Sequence, residues 1–65
     1  MRQLKTRDLK VGNIFTKEYK LRGREAFIVK EKPEEKEYLI VESRKTFIQT
    51  KMPFKGCTWV ILLKE

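Results

Sequence analysis

Two short apolar runs with a charged, proline-containing segment between them constrain this chain more than any other feature. Ala26-Phe27-Ile28-Val29 and Tyr38-Leu39-Ile40-Val41 are dominated by β-branched and aromatic residues, which sit well on a pleated, half-buried surface. Between them stands Lys32-Pro33-Glu34-Glu35-Lys36. Pro33 pre-sets φ for the second position of a type I turn, and the surrounding charges keep such a turn in water. The pattern over 25–44 predicts an antiparallel hairpin. Everything else must pack on it or pair with it.

At 65 residues the chain has room for one domain, 1–65. A domain of that size buries only about 60% of the surface its unfolded form exposes. The core is therefore expected to be small and built from few side chains, although seven aromatics supply large areas apiece. Charged residues make up 38% of the chain, but they interrupt the apolar runs instead of forming blocks, which argues for a folded domain over disorder. Cys57 is the single cysteine, so no intrachain disulfide is available, and a reducing, cytoplasmic setting is expected. No apolar leader opens the sequence. The longest apolar run, Trp59 to Leu63, is far short of the roughly 20 residues that span a bilayer.

Along the chain, residues 1–5 read as a loosely held basic arm with Leu4 as its anchor. Thr6-Arg7-Asp8-Leu9 is suited to a tight or single helical turn through Thr6 or Asp8. Gly12-Asn13 permits a sharp change of direction, and a first strand is expected over 13–19. Gly23 pivots the next connection, 20–24, among three cations. After the central hairpin, Arg44-Lys45 leads into a strand-like Thr46-Phe47-Ile48-Gln49-Thr50-Lys51. Pro53 and Gly56 then predict a break, in the form of one 3₁₀ turn over 52–56. The last strand, 57–64, lacks alternation and is expected to be buried on both faces as the central staple of the fold. Five strands, short connections and no helix point to an all-β, mostly antiparallel chain. Curling the sheet would cover both faces of that last strand and protect the edges, so a single small five-stranded SH3-like β-barrel is the expected fold.

Asp8-Leu9-Lys10-Val11-Gly12-Asn13-Ile14-Phe15 resembles the "D-L-K-x-G-D-x-F" entry to the first strand of small bacterial and phage SH3-like barrels, with Asn13 where an aspartate is usual. Pro53-Phe54-Lys55-Gly56 is similar to the "G-P-F-K-G" turn of KOW motifs, with Met52 replacing the leading glycine. A KOW unit would place a partner strand after the one that follows this turn. The chain as a whole is similar to small proteins of bacterial mobile elements. These likenesses imply a turn followed by a strand, and no activity or binding residue.

The residue inventory argues against catalysis. There is no histidine, the side chain most often used for acid–base work at neutral pH. Cys57 beside Trp59 reads as a buried hydrophobe with no imidazole to activate it. One cysteine and one aspartate do not make a metal site, and Glu34, Glu35 and Glu37 belong to a solvated turn. The three glycines stand apart, so there is no phosphate-cradling loop. No enzyme activity, cofactor or small-molecule substrate is expected, nor a membrane partner.

Charge is the feature that points to a function. The net charge is +7, which favours anionic partners, although small soluble domains often carry about 2 to 8 charges for solubility alone. Residues 1–24 carry +6, residues 25–43 carry −3, residues 44–56 carry +4, and the remainder is neutral. In an antiparallel meander the first and third loops share an end. Lys20, Arg22, Arg24, Arg44 and Lys45 would then form one cationic patch, with Phe47 or Tyr19 available to stack on bases. Alternatively, Phe47 and Tyr19 are core and the cations a solvated rim. Two functions follow: low-specificity binding of DNA or RNA through that patch, or a protein-interaction or self-association module.

Overall fold

The computed structural model describes residues 2–17, 25–55 and 59–65. Within them the chain is all-β: β1 (Arg2–Lys5), a 3₁₀ turn (Thr6–Asp8), β2 (Ile14–Thr16), β3 (Ala26–Glu31), β4 (Tyr38–Ser43), β5 (Gln49–Pro53) and β6 (Trp59–Lys64). All six strands join one antiparallel sheet in the order β1-β6-β2-β3-β4-β5.

The predicted hairpin is the β3–β4 pair, with Val29 opposite Val41 and a register shift between Val29 and Glu31. Around it, several expectations need correcting. Among the described residues the strands number six rather than five, because Arg2–Lys5 is not part of a loose arm: it pairs with β6, Leu4 opposite Val60. The strand expected from Thr46 begins instead at Gln49, since a hydrogen-bonded turn takes up 44–48. The expected break at Pro53 is also displaced, because β5 runs through Pro53. Proline is tolerated on an edge strand whose N–H side faces outward, and β5 is such an edge.

The sheet is not closed into a barrel, and β1 and β5 are its two ends. It is nonetheless curled. Six flat strands spaced about 4.8 Å apart would hold the two ends some 24 Å from each other. Here one cluster contains Met52 of β5 together with Leu9, Phe15, Val29, Leu39, Val41, Val60 and Leu62, and Leu4 of β1 packs against it. Phe15 stacks on Phe27 with centroids 5.6 Å apart. The chain between β1 and β2 enters this core through Leu9, which is fully buried after the 3₁₀ turn.

β6 lies between β1 and β2, so it is paired on both sides but stands second from one edge of the sheet and not at its centre, where it was expected. Val60, Ile61 and Leu62 are buried in succession, whereas Trp59 is 50% exposed, so full burial of this run is also corrected. Gly12, at φ +94°, makes the turn into β2, and Lys10 N–H donates to Asn13 Oδ1 at 2.8 Å. Gly12 N–H and Asn13 C=O then bond to the backbone of Val29, extending the β2–β3 pairing beyond Ile14. The expected burial of Cys57 falls outside the described residues.

Candidate nucleic-acid interface

The turn from β4 to β5 is built from Ser43. This serine is buried, and its hydroxyl donates to Glu25 Oε2. The same oxygen accepts from the backbone N–H groups of Lys45 and Thr46, each at 3.2 Å. Ser43 C=O accepts from Phe47 N–H at 2.8 Å, and Ser43 N–H donates to Ile48 C=O at 3.1 Å. Arg44 N–H crosses to Ala26 C=O at 2.8 Å, tying the turn to β3. Short polar side chains bond in this way to backbone N–H groups two and three residues on, which competes with continued strand.

Closing the turn places Phe47 at φ +63°. A non-glycine residue in that left-handed region costs roughly 1–2 kcal/mol. The ring gains no burial in return: Phe47 is 71% exposed and the adjacent Ile48 62% exposed. Folding alone would favour glycine here. The turn thus holds two apolar side chains in water beside the exposed cations Arg44 and Lys45.

Of the residues expected to form a patch, Arg44, Lys45 and Phe47 share this turn. Lys20, Arg22 and Arg24, like Tyr19, fall outside the described residues. The flanks of their connection are described. Thr16 pairs with Ala26, and Phe27 with Ser43, so Lys17 and Glu25 lie at the same end of the meander as the β4–β5 turn. Lys17 sets its ammonium 4.9 Å from the Phe27 ring centroid. Phe47 is not a core residue, which removes one of the two readings open to it.

The sequence reading did not single out other cation–aromatic pairs on the sheet surface. Lys51 Nζ lies 4.8 Å from the Tyr38 ring centroid, and Lys5 Nζ lies 5.7 Å from that of Trp59. Both are cross-strand relationships, diagonal for Lys51–Tyr38 and direct for Lys5–Trp59, so they become visible only once register is known. A cleft of about 320 Å³ mixes Arg2 and Lys10 with Asp8 and Glu65. Its charges balance, so it has no preference for one sign of ligand.

Among the described residues, no group of three or more His, Cys, Asp or Glu side chains converges to hold a metal ion, and no helix is long and apolar enough to cross a membrane. Comparison of the chain with protein-family models, with curated proteins and with solved structures found no match in any of the three.

Proposed function

We propose that this chain is a non-catalytic binding module that holds DNA or RNA with little sequence preference, using the β4–β5 turn as its contact. The observation that carries the reading is Phe47, an exposed aromatic kept in a costly backbone conformation beside Arg44 and Lys45. Aromatic side chains stack on any base, and neighbouring cations neutralise phosphates, which gives affinity without sequence preference. The guanidinium of Arg44 suits phosphate oxygens through its fork of donors. Lys20, Arg22 and Arg24, on the connection whose flanks lie at the same end, would extend the cationic surface. The absence of histidine and the single cysteine accord with a non-catalytic role in a reducing, cytoplasmic setting.

We also read the curled sheet as an SH3-like barrel left open between β1 and β5. The core shared between the two ends of the ladder supports that kinship.

Fluorescence anisotropy with labelled single-stranded and double-stranded DNA and RNA tests the function across a salt series. Binding retained at physiological salt with a linear log–log slope is expected, because each neutralised phosphate releases counterions. Arg44→Ala and Lys45→Ala should each flatten the slope by about 1 while the fold persists. Binding confined to low salt, or slopes unchanged in both variants, would overturn the reading.

A further inference from the structure

The β4–β5 ladder fixes which backbone groups of β5 face away from the sheet. In an antiparallel pair, residues that exchange hydrogen bonds alternate with residues that do not. Ser43 N–H bonds to Ile48 C=O at one end of the pairing and Phe54 N–H to Glu37 C=O at the other. Both contacts fit the register that places Leu39 opposite Met52 and Val41 opposite Thr50. Thr50 and Met52 therefore bond inward to β4, and Gln49, Lys51 and Pro53 direct their backbone groups outward. Pro53, which has no N–H, occupies an outward position.

Among the described residues no strand pairs this outer side of β5. It offers the N–H groups of Gln49 and Lys51 and the carbonyls of Gln49, Lys51 and Pro53. Donors on alternate residues, about 6.6–6.8 Å apart, match the repeat of an extended chain. Residues 44–55 contain Arg44, Lys45, Lys51 and Lys55 and no acidic residue. Phe47 and Ile48 stand exposed at the head of the strand.

We infer that the outer edge of β5 docks an extended acidic segment of a partner protein, which adds to the sheet as a seventh strand. Main-chain bonds to Gln49 and Lys51 hold the segment, and alternate side chains select it, as in other cases of strand addition. Side chains beside Lys51 lie on the outer face and are acidic. Those on the opposite face continue the row of Thr50 and Met52, of which Met52 is buried in the core, and are apolar. A second copy of this chain fits poorly. The antiparallel register that uses the edge most fully sets Lys51 opposite Lys51, and like charges directly opposed destabilise a pair.

The test uses the full chain, ¹⁵N-labelled, with the capped peptide (Glu-Val)₄ at physiological salt and (Lys-Val)₄ as the control. The acidic peptide is expected to slow amide exchange at Gln49 and Lys51, and the basic one to leave both unchanged. Lys51→Gln removes the charge alone, whereas Lys51→Pro removes the charge and the outward donor without touching the β4 ladder. Lys51→Pro should bind (Glu-Val)₄ at least tenfold more weakly than Lys51→Gln. Absence of (Glu-Val)₄ binding, unchanged exchange at Gln49 and Lys51 in the complex, or equal affinity of the two peptides would each overturn the proposal. Equal affinity of the two variants would do the same. If Lys51→Pro fails to fold, exchange in the wild-type chain decides alone. The docking strand is independent of the nucleic-acid reading, since Arg44→Ala and Lys45→Ala leave the outward donors of β5 in place.

Discussion

The ammonium of Lys32 lies 2.7 Å from the backbone carbonyl of Arg7 and 2.8 Å from that of Leu9. Lys32 belongs to the β3–β4 turn, and Arg7 and Leu9 to the 3₁₀ turn and its exit, so this one side chain joins segments 23 and 25 residues apart. The last carbonyls of a helical turn lack partners of their own and attract a cation. The contact also holds the segment that inserts Leu9, fully buried, into the core.

Lys32→Met should therefore destabilise the fold although Lys32 lies on the surface. Hydrogen bonds from charged groups contribute about 1.5–3 kcal/mol, and water can replace part of the loss here, so roughly 1–2 kcal/mol is expected. Urea denaturation would register a lower midpoint with an unchanged slope. An unchanged midpoint would mean that the Lys32 contact adds nothing to the hold on the 3₁₀ segment.

A second prediction concerns Phe15, which is fully buried and stacks on Phe27. Phe→Ala in a core typically costs about 3–5 kcal/mol. A chain of 65 residues is expected to hold only roughly 3–10 kcal/mol in total. Phe15→Ala should leave the protein largely unfolded, or with collapsed chemical-shift dispersion at 25 °C. A cooperative transition within about 1 kcal/mol of wild type would contradict the assignment of Phe15 to the centre of the core.

How much of this was legible in the sequence varies with the physical origin of each feature. The β3–β4 pairing is encoded locally, by two β-branched runs, and it forms as the residues predict. The turn, however, falls at Glu34-Glu35, with Glu35 at φ +60°, so Pro33 precedes it and does not hold the second position of a type I turn. The turn at Thr6 and the bend at Gly12 are local too. β1 was missed because Arg2-Gln3-Leu4-Lys5 has little strand signal of its own; its order comes from pairing with β6, a partner more than fifty residues away. The β4–β5 turn was misplaced by three residues for a different reason. Thr46-Phe47-Ile48 has strand composition, and the hydrogen bonds of buried Ser43, with those of Arg44 N–H to Ala26 C=O and Ile48 N–H to Thr46 Oγ1, turn it into a loop. Three of the candidate site residues, Arg44, Lys45 and Phe47, come together in that turn. Their exposure could not be read from residue type, since an aromatic next to an isoleucine ordinarily signals core. Lys32 gave no signal at all, because a lysine in a charged turn looks like any other solvated charge.

Ser43 carries a third prediction. Ser43→Ala removes the acceptor for the Lys45 and Thr46 N–H groups and leaves the Glu25 carboxylate without the hydroxyl donor. The turn lies at the surface, so water reaches the freed groups and the cost should be about 1 kcal/mol. For a domain this small, that corresponds to a melting temperature lower by roughly 4–8 °C. Amide exchange should rise at Lys45, Thr46 and Phe47 and stay unchanged along β3. Uniform acceleration across the sheet would mean that Ser43 supports the fold as a whole and not the turn.

Phe47 offers the sharpest separation of stability from binding. Glycine adopts φ near +60° without the steric penalty that a side chain meets there. Phe47→Gly should therefore relieve strain in the folded chain. The greater backbone freedom of glycine in the unfolded chain offsets part of that gain. With the ring 71% exposed, little packing is lost, and stability should stay level or rise by up to about 1 kcal/mol. Binding should move the other way, because one stacked base contributes about 1–3 kcal/mol, which corresponds to a loss of roughly 5- to 150-fold in affinity for single-stranded nucleic acid. Phe47→Leu, which keeps the strain and removes the aromatic face, should lose affinity without gaining stability. Thermal denaturation and anisotropy on the same three proteins check both halves. If Phe47→Gly lowers stability by more than 1 kcal/mol, the ring is serving the fold and its exposure has been misread. If stability holds and affinity does not change, Phe47 is not the stacking residue, and the cations of the turn act without it.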